Sequence, residues 1–236
     1  MKKGFHDSKK YTKERHILHK RIVDIFERRA SAPKQGERPV AILIGGGTAS
    51  GKTTLRKTIV REDMYMRGIN AVIADPDKIK KYIPEYEFFR QLLPDQAEVI
   101  VHKESVDICE LLVKQLIKKR RNFIYEGTMA RTSKYKRLIR ELKSKNYEIY
   151  LYVADVPLNT AKARADKRGR VTGRKIPHHI IENTHRIVPI TVEIIKEMVD
   201  NYYIFDNRAE PTLIASRNYI DPVRYEEFLK KAQTAG

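Results

Sequence analysis

One cysteine, Cys109, occurs in 236 residues. That excludes a disulfide framework and a cysteine-based zinc site, and it fits a reducing compartment. Cys109 lies in an apolar helical stretch and reads as a small buried hydrophobe. No run of about 18 apolar residues exists, so no membrane span is expected. Met1-Lys2-Lys3-Gly4-Phe5-His6 begins like the basic part of a secretion signal, but no apolar segment follows, so a cytoplasmic location is the expectation. There is no internal repeat and no low-complexity tract. His102, His178, His179 and His185 have no carboxylate at a zinc-ligand spacing, so no transition metal is expected. Acidic residues are the scarcer charge, 30 against 48 basic ones, which leaves the chain at +18. Such an excess either attracts polyanions (nucleic acid, nucleotide phosphates, an acidic protein) or forms a solvated surface.

The 41% hydrophobic content is that of an ordinary globular chain. Thr12 to Arg29 carries Ile17, Leu18, Ile22, Val23, Ile25 and Phe26 at helical spacing. The segment 31–39, with two prolines and a glycine, breaks that helix. An N-terminal helix and linker (1–36) followed by one domain (37–236) is therefore expected. From there the pattern alternates. Strands are predicted at 40–44, 71–74, 122–125, 147–153 and 202–205. Helices are predicted at 53–67, 95–120, 133–145, 158–167, 178–199 and 221–235, with a short edge strand at 212–215. Alternation of this kind builds βαβ units, an α/β fold with a mostly parallel sheet covered by helices on both faces.

Gly46-Gly47-Thr48-Ala49-Ser50-Gly51-Lys52-Thr53 matches G-x-x-x-x-G-K-[ST] in full, between an apolar strand and an amphipathic helix. Such a loop curls its N–H groups around phosphates at a helix N-terminus. The expected nucleotide-binding set is these eight residues with Thr54. Lys52 reaches the β- and γ-phosphates, and Thr53 binds Mg²⁺ through its hydroxyl. No Asn-Lys-x-Asp guanine motif occurs, and a motor's coupling domains are not expected at this length. A P-loop kinase-like three-layer sandwich acting on a small hydroxyl acceptor is the best match.

The strand ends supply candidate chemistry. Asp77, in Asp75-Pro76-Asp77, is either a general base or the N-cap of a helix starting at Lys78; position alone leaves the two open. Glu126 and Thr128, in Glu126-Gly127-Thr128, suit a metal-bound water or an acceptor hydroxyl, or else start a helix, with Thr128 or Thr132 as cap. Arg164, Lys167, Arg168, Arg170, Arg174 and Lys175 crowd around Gly169 and Gly173. They read as a helix turning into an arginine-rich lid loop over the transferred phosphate.

In this order, Thr12-Lys13-Glu14-Arg15-His16, the phosphate loop, Asp75-Pro76-Asp77, Val101-His102-Lys103-Glu104-Ser105, Glu126-Gly127-Thr128 and Arg168 with Gly173-Arg174-Lys175-Ile176-Pro177 resemble the zeta toxin family of P-loop kinases. The resemblance covers roughly residues 10 to 215. It implies transfer of the ATP γ-phosphate to the sugar 3′-hydroxyl of UDP-N-acetylglucosamine. By this resemblance Lys52 and Thr53 hold ATP and Mg²⁺, and Asp77 is the catalytic base. Glu126 and Thr128 contact the sugar nucleotide, and Arg168 and Arg174 are lid arginines on the phosphates. Glu104 and Ser105 lie in a helix-start segment of the acceptor pocket. It also implies a small antitoxin that blocks the nucleotide site; an acidic one would suit this basic chain. Many members read Pro-Gly-Ser where this chain has Thr48-Ala49-Ser50, a change expected to alter loop stiffness more than phosphate contacts. The alternative acceptor is a hydroxyl of a nucleotide, dinucleotide or nucleic acid. It ranks second because Tyr11, Tyr65, Tyr82, Tyr86 and Tyr135 are scattered and form no stacking platform.

Overall fold

The structure, a computed structural model, describes residues 11–172 and 176–233, apart from the side chains of Pro94, Asp95, Glu98 and Thr172. Among the described residues seven strands form one sheet: β1 (Val40–Gly45), β2 (Val72–Ala74), β3 (Phe123–Glu126), β4 (Glu148–Asp155), β5 (Asn201–Asp206), β6 (Thr212–Ser216) and β7 (Tyr219–Ile220). Their order is β2-β3-β1-β4-β5-β6-β7. The first five pair in parallel and the last two antiparallel. The α/β architecture expected from the alternating pattern is therefore present. The sequence 212–215 falls within β6, but β6 is not the edge; the two-residue β7 covers it.

Period-two alternation divides the core between the two faces of the sheet. On β1, Ala41 and Leu43 face one apolar cluster, and Val40, Ile42 and Ile44 face the other. On β4 the same split puts Ile149, Leu151 and Val153 on the first side and Tyr150 and Tyr152 on the second. The first cluster is covered by α1 (Lys13–Glu27), α6 (Pro94–Lys118), α7 (Thr132–Ser144), α9 (His178–Ile195) and α10 (Pro222–Lys230). Ile22, Val23 and Phe26 place the α1 stripe inside that core, while Ile17 and Ile25 stay exposed. The second is covered by α2 (Lys52–Leu55) and α3 (Arg61–Met66), joined without a break by a π-helical turn, Arg56–Val60. Two short helices escape the periodicity, α4 (Pro76–Ile79) and α5 (Pro84–Leu92). Each opens with proline at its first position, where no N–H is needed.

α8 (Leu158–Thr172) runs five residues beyond its expected end at Lys167 and passes straight through Gly169. No helix among the described residues is long and apolar enough to cross a membrane.

Candidate functional site: a phosphate loop at the centre of a parallel sheet

β1 lies between β3 and β4, so the loop that leaves its carboxyl end opens where the chain connections diverge to the two halves of the sheet. Ligand crevices of open parallel sheets form there. The loop is held on three sides. Gly51 has φ +85°, and a β-carbon on it would meet the Asn207 amide nitrogen at 2.2 Å. That amide donates to the carbonyls of Ser50 (2.8 Å) and Gly51 (3.1 Å). Asn207 is held in turn: Arg164 of α8 donates to its carbonyl and to that of Arg208. From α9, Thr184 accepts the Thr48 N–H at 3.0 Å, and the His185 ring nitrogen Nε2 bonds the Thr48 carbonyl at 2.9 Å. The His185 ring packs so closely on Gly47 that a side chain there would collide at 2.3 Å. Burial pushes His185 down to about 4, so near neutrality it is uncharged and Nε2 donates to that carbonyl.

Lys52 opens α2 and folds back, its ammonium donating to the carbonyls of Gly46 (3.0 Å) and Gly47 (2.9 Å). Burial lowers it to about 8, against the opposing pull of Glu126 and Asp77. Arg168 adds to the lowering, which places that exposed α8 guanidinium within electrostatic reach of the loop. Arg168 thus sits on a continuous helix and not in a glycine-broken loop, because the buried Gly169 stays helical. Arg174 lies outside the described residues, as do Gly173 and Lys175.

Thr53, next along, donates its hydroxyl to Glu126 Oε1 at 3.0 Å. Glu126 ends β3, and Arg56 donates to its Oε2 at 2.9 Å. The phosphate loop and the Glu126-Gly127-Thr128 turn are therefore in contact, and the Gly127 N–H bonds the Ile44 carbonyl of β1. Thr128 is exposed and caps nothing. The cap position of α7 is Arg131, without a side-chain bond, and Thr132 bonds Thr191 instead.

Asp77 is not the N-cap. The helix starts at Pro76, and Asp75 caps it, accepting the Asp77 N–H at 2.8 Å. Proline lacks an N–H, so the first donor of the turn belongs to Asp77. Burial raises Asp75, the bond from Asp77 N–H lowers it, and the neighbouring Glu126 and Asp77 raise it, with a net shift upward. The Asp77 carboxylate is half-exposed and lies 2.6 Å from the ammonium of Lys80, which is 1% exposed.

Glu104 and Ser105 do not start a helix. They lie well inside α6, buried. Ser105 bonds the His102 carbonyl. Glu104 receives Arg15 and His19 of α1, with the nearest contacts at 2.5 Å, and Arg15 also grips Glu85 of α5. The carboxylate is engaged inside the fold, tying three helices together. The structure thus brings Lys52, Thr53, Glu126 and Asp77 to one crevice with Arg168 beside them, and it leaves Glu104 and Ser105 in the helical layer. Sequence reasoning passed over Arg56, Lys80, Thr184, His185 and Asn207. The signal available for the first two was their position one helical turn after Thr53 and Asp77.

A family model described as Zeta toxin matches residues 23–218. Toxin zeta of Enterococcus hirae is 31% identical over 141 residues, covering 60% of this chain and 48% of that protein. Toxin PezT of Streptococcus pneumoniae is 27% identical over 176 residues, covering 67% of each. The chain spans about half the length of the zeta toxins it matches. A solved chain from the PezAT chromosomal toxin-antitoxin system of Streptococcus pneumoniae has a TM-score of 0.72 at 19% identity, covering 96% of this chain and 91% of that one. A chain of the AvrRxo1-ORF1:-ORF2 structure with ATP has a TM-score of 0.74 at 17% identity, covering 95% and 75%. Both share the fold.

Proposed function

The chain belongs to the zeta toxin family, and from that premise we propose that it is an ATP-dependent phosphotransferase. In this reading it moves the γ-phosphate to a hydroxyl of a small acceptor, the sugar 3′-hydroxyl of UDP-N-acetylglucosamine. The observation that carries the reading is the meeting of Lys52, Thr53, Glu126 and Asp77 from three adjacent strand ends.

Each group has a role in this reading. Lys52 leaves its two loop carbonyls for the phosphates, and the N–H groups at the start of α2 bind them alongside. The Thr53 hydroxyl and the Glu126 carboxylate are hard oxygen donors in contact, a pair that fits Mg²⁺ directly or through water. The metal, when bound, neutralises charge on the phosphates. Asp77 accepts the proton of the acceptor hydroxyl as its oxygen attacks phosphorus. Glu126 and Thr128 orient the acceptor, while Arg168, with Arg174, supplies positive charge as the transferred group passes over. The Thr48 N–H, already given to Thr184, fixes the loop rather than the phosphate.

The partner in this reading is a small acidic antitoxin attracted by the +18 chain. A structural neighbour comes from a toxin-antitoxin system, which supports it.

The test is transfer from γ-labelled ATP with Mg²⁺ to UDP-N-acetylglucosamine. Wild type labels the sugar nucleotide, and Asp77→Ala binds ATP but transfers roughly 10²- to 10⁴-fold more slowly, the usual worth of a general base. ATP binding without any labelled sugar nucleotide would reject this acceptor, and an active Asp77→Ala would reject the base.

A further inference from the structure

The end of the sheet opposite the phosphate loop carries a charged feature that phosphotransfer leaves unused. α1, α6 and α7 all finish there, each on the way into a following strand. Their ends meet. Lys119 bonds Glu27 at 2.9 Å, Arg121 lies 3.5 Å from the other oxygen of Glu27, and Arg120 donates to the Lys145 carbonyl. Around this junction Arg28, Arg29, Lys118, Arg120, Lys143 and Lys145 are exposed. The phosphate loop lies at the far end of β1, whose six residues span about 20 Å.

Ordinary electrostatics does not use up this charge. A helix C-terminus carries roughly half a negative charge, so three of them offset only about a quarter of six cations. Glu27 is buried and already shared between Lys119 and Arg121, and Asp24 is half-buried. Glu141 is the exposed acid in the last turns of the three helices. With Glu148, which opens β4 at the same end and is half-buried, counted as well, a net positive charge still stands unopposed.

We propose that this junction is a docking surface for the phosphate backbone of a nucleic-acid duplex. A protein partner needs an apolar centre to its interface, and the last turns of these helices expose a single large apolar side chain, Ile25. A single strand needs aromatic rings to stack on, and none is exposed in those turns. Long cationic side chains around a polar junction match repeating phosphates instead. The net +18 steers such a polymer from a distance.

Fluorescence anisotropy of the full chain with a labelled DNA duplex, titrated from about 50 to about 200 mM salt, reads the interaction directly. Each engaged phosphate adds about 0.9 to the negative slope of log affinity against log salt, so engagement of four to six cations predicts a slope of about −4 to −5. Replacing Lys118, Arg120, Lys143 and Lys145 together by Glu lowers affinity at least roughly 100-fold and flattens the slope by up to about 3.6, while phosphotransfer is unchanged. The same four positions changed to Gln give a smaller loss in the same direction, and carry the test if the Glu set misfolds. No binding at low salt, or wild-type binding by both variant sets, overturns the proposal. So does equal binding of polyglutamate or of anionic vesicles to the same face. The result is independent of the acceptor assay: a chain inactive on the sugar nucleotide would still show or lack this salt-dependent binding.

Discussion

At the scale of single residues, Lys80 is the side chain whose placement most constrains the chemistry. A lysine ammonium at 1% exposure is costly unless paired, and Asp77 at 2.6 Å pairs it. The pair also fixes where the carboxylate stands at the mouth of the crevice. Lys80→Met preserves most of the buried stem and removes the charge. The expected result is a lowered kcat with ATP affinity retained, because the carboxylate loses the partner that positions it. An unchanged kcat with a lowered thermal midpoint would assign Lys80 to packing alone. Lys52 gives a pH effect. Its folded value of about 8 lies below the free lysine value of 10.5, so the folded state binds fewer protons than the unfolded one between them. The burial cost of its charge is therefore present below about pH 8, and this group's contribution to stability improves as pH rises through that window. Phosphate favours the charged form, so ATP binding near pH 8 takes up part of a proton. Calorimetry at pH 8 in buffers of different ionisation heat should show a buffer-dependent binding enthalpy with the sign of proton uptake, and a buffer-independent one would sink the assignment. Ala49 is the third case. It stands at φ +61°, in the left-handed region, where a β-carbon costs about 1–2 kcal/mol. Ala49→Gly relieves that strain but returns about 0.4–1 kcal/mol of entropy to the unfolded chain. A net gain of up to about 1.6 kcal/mol follows, readable as a thermal midpoint raised by a few degrees.

At the scale of elements, Glu104 separates two roles that its neighbourhood in sequence could not. Burial pushes its carboxyl up, but the hydrogen bonds from His19 and Arg15 overcome this and hold it below the usual range. Its stabilisation is thus present above the ordinary carboxylate value and is lost as the solution is acidified past it. Glu104→Gln leaves Arg15 and His19 facing a neutral partner inside the α1–α6 contact, a loss of about 3 kcal/mol. The expected readout is a thermal midpoint lower by roughly 6–12 °C with an unchanged acceptor KM. A raised KM at an unchanged midpoint would return Glu104 to the acceptor pocket. The same residue shows what a sequence conveys and what it withholds. The five parallel strands were legible because each is an apolar run bounded by breakers, and the phosphate loop because its glycines and Lys52-Thr53 are local in sequence. Glu104 misled because the family resemblance put it at a helix start, although the periodicity at 95–120 already placed it inside a helix. What decided the matter is Arg15, 89 residues away. The loop's buttress was invisible for the same reason: Thr184, His185 and Asn207 reach Thr48, Ser50 and Gly51 across more than 130 residues. Proline hid α5 and shifted the expected start of α4 to Lys78, since it reads as a breaker when in fact it occupies the first position of each.

At the scale of the whole molecule, the linker at 31–39 invites a division that the core does not respect. Ile22, Val23 and Phe26 of α1 belong to the same apolar cluster as Leu43 of β1 and Phe123 of β3. Fully burying three such side chains contributes about 5–9 kcal/mol. Removing residues 1–36 would forfeit that contribution and strip the buried Glu104 of both its cations. A folded domain has only about 5–15 kcal/mol in total, so the loss is comparable to the whole. The fragment 37–236 is therefore expected to fail as an independent unit. It should show no cooperative thermal transition, bind a hydrophobic dye where α1 leaves α6 uncovered, and lose ATP binding along with the fold. The full chain should unfold in one transition, and an ATP-bound chain at a higher temperature, because ligand that binds only the folded state adds its binding energy to one cooperative equilibrium. Two resolved transitions in the full chain, with ATP moving only the upper one, would restore α1 as a separate segment. The physical reason to expect one is that the helix carries no apolar core of its own: its buried stripe packs against α6 and, through Phe26, against Tyr82.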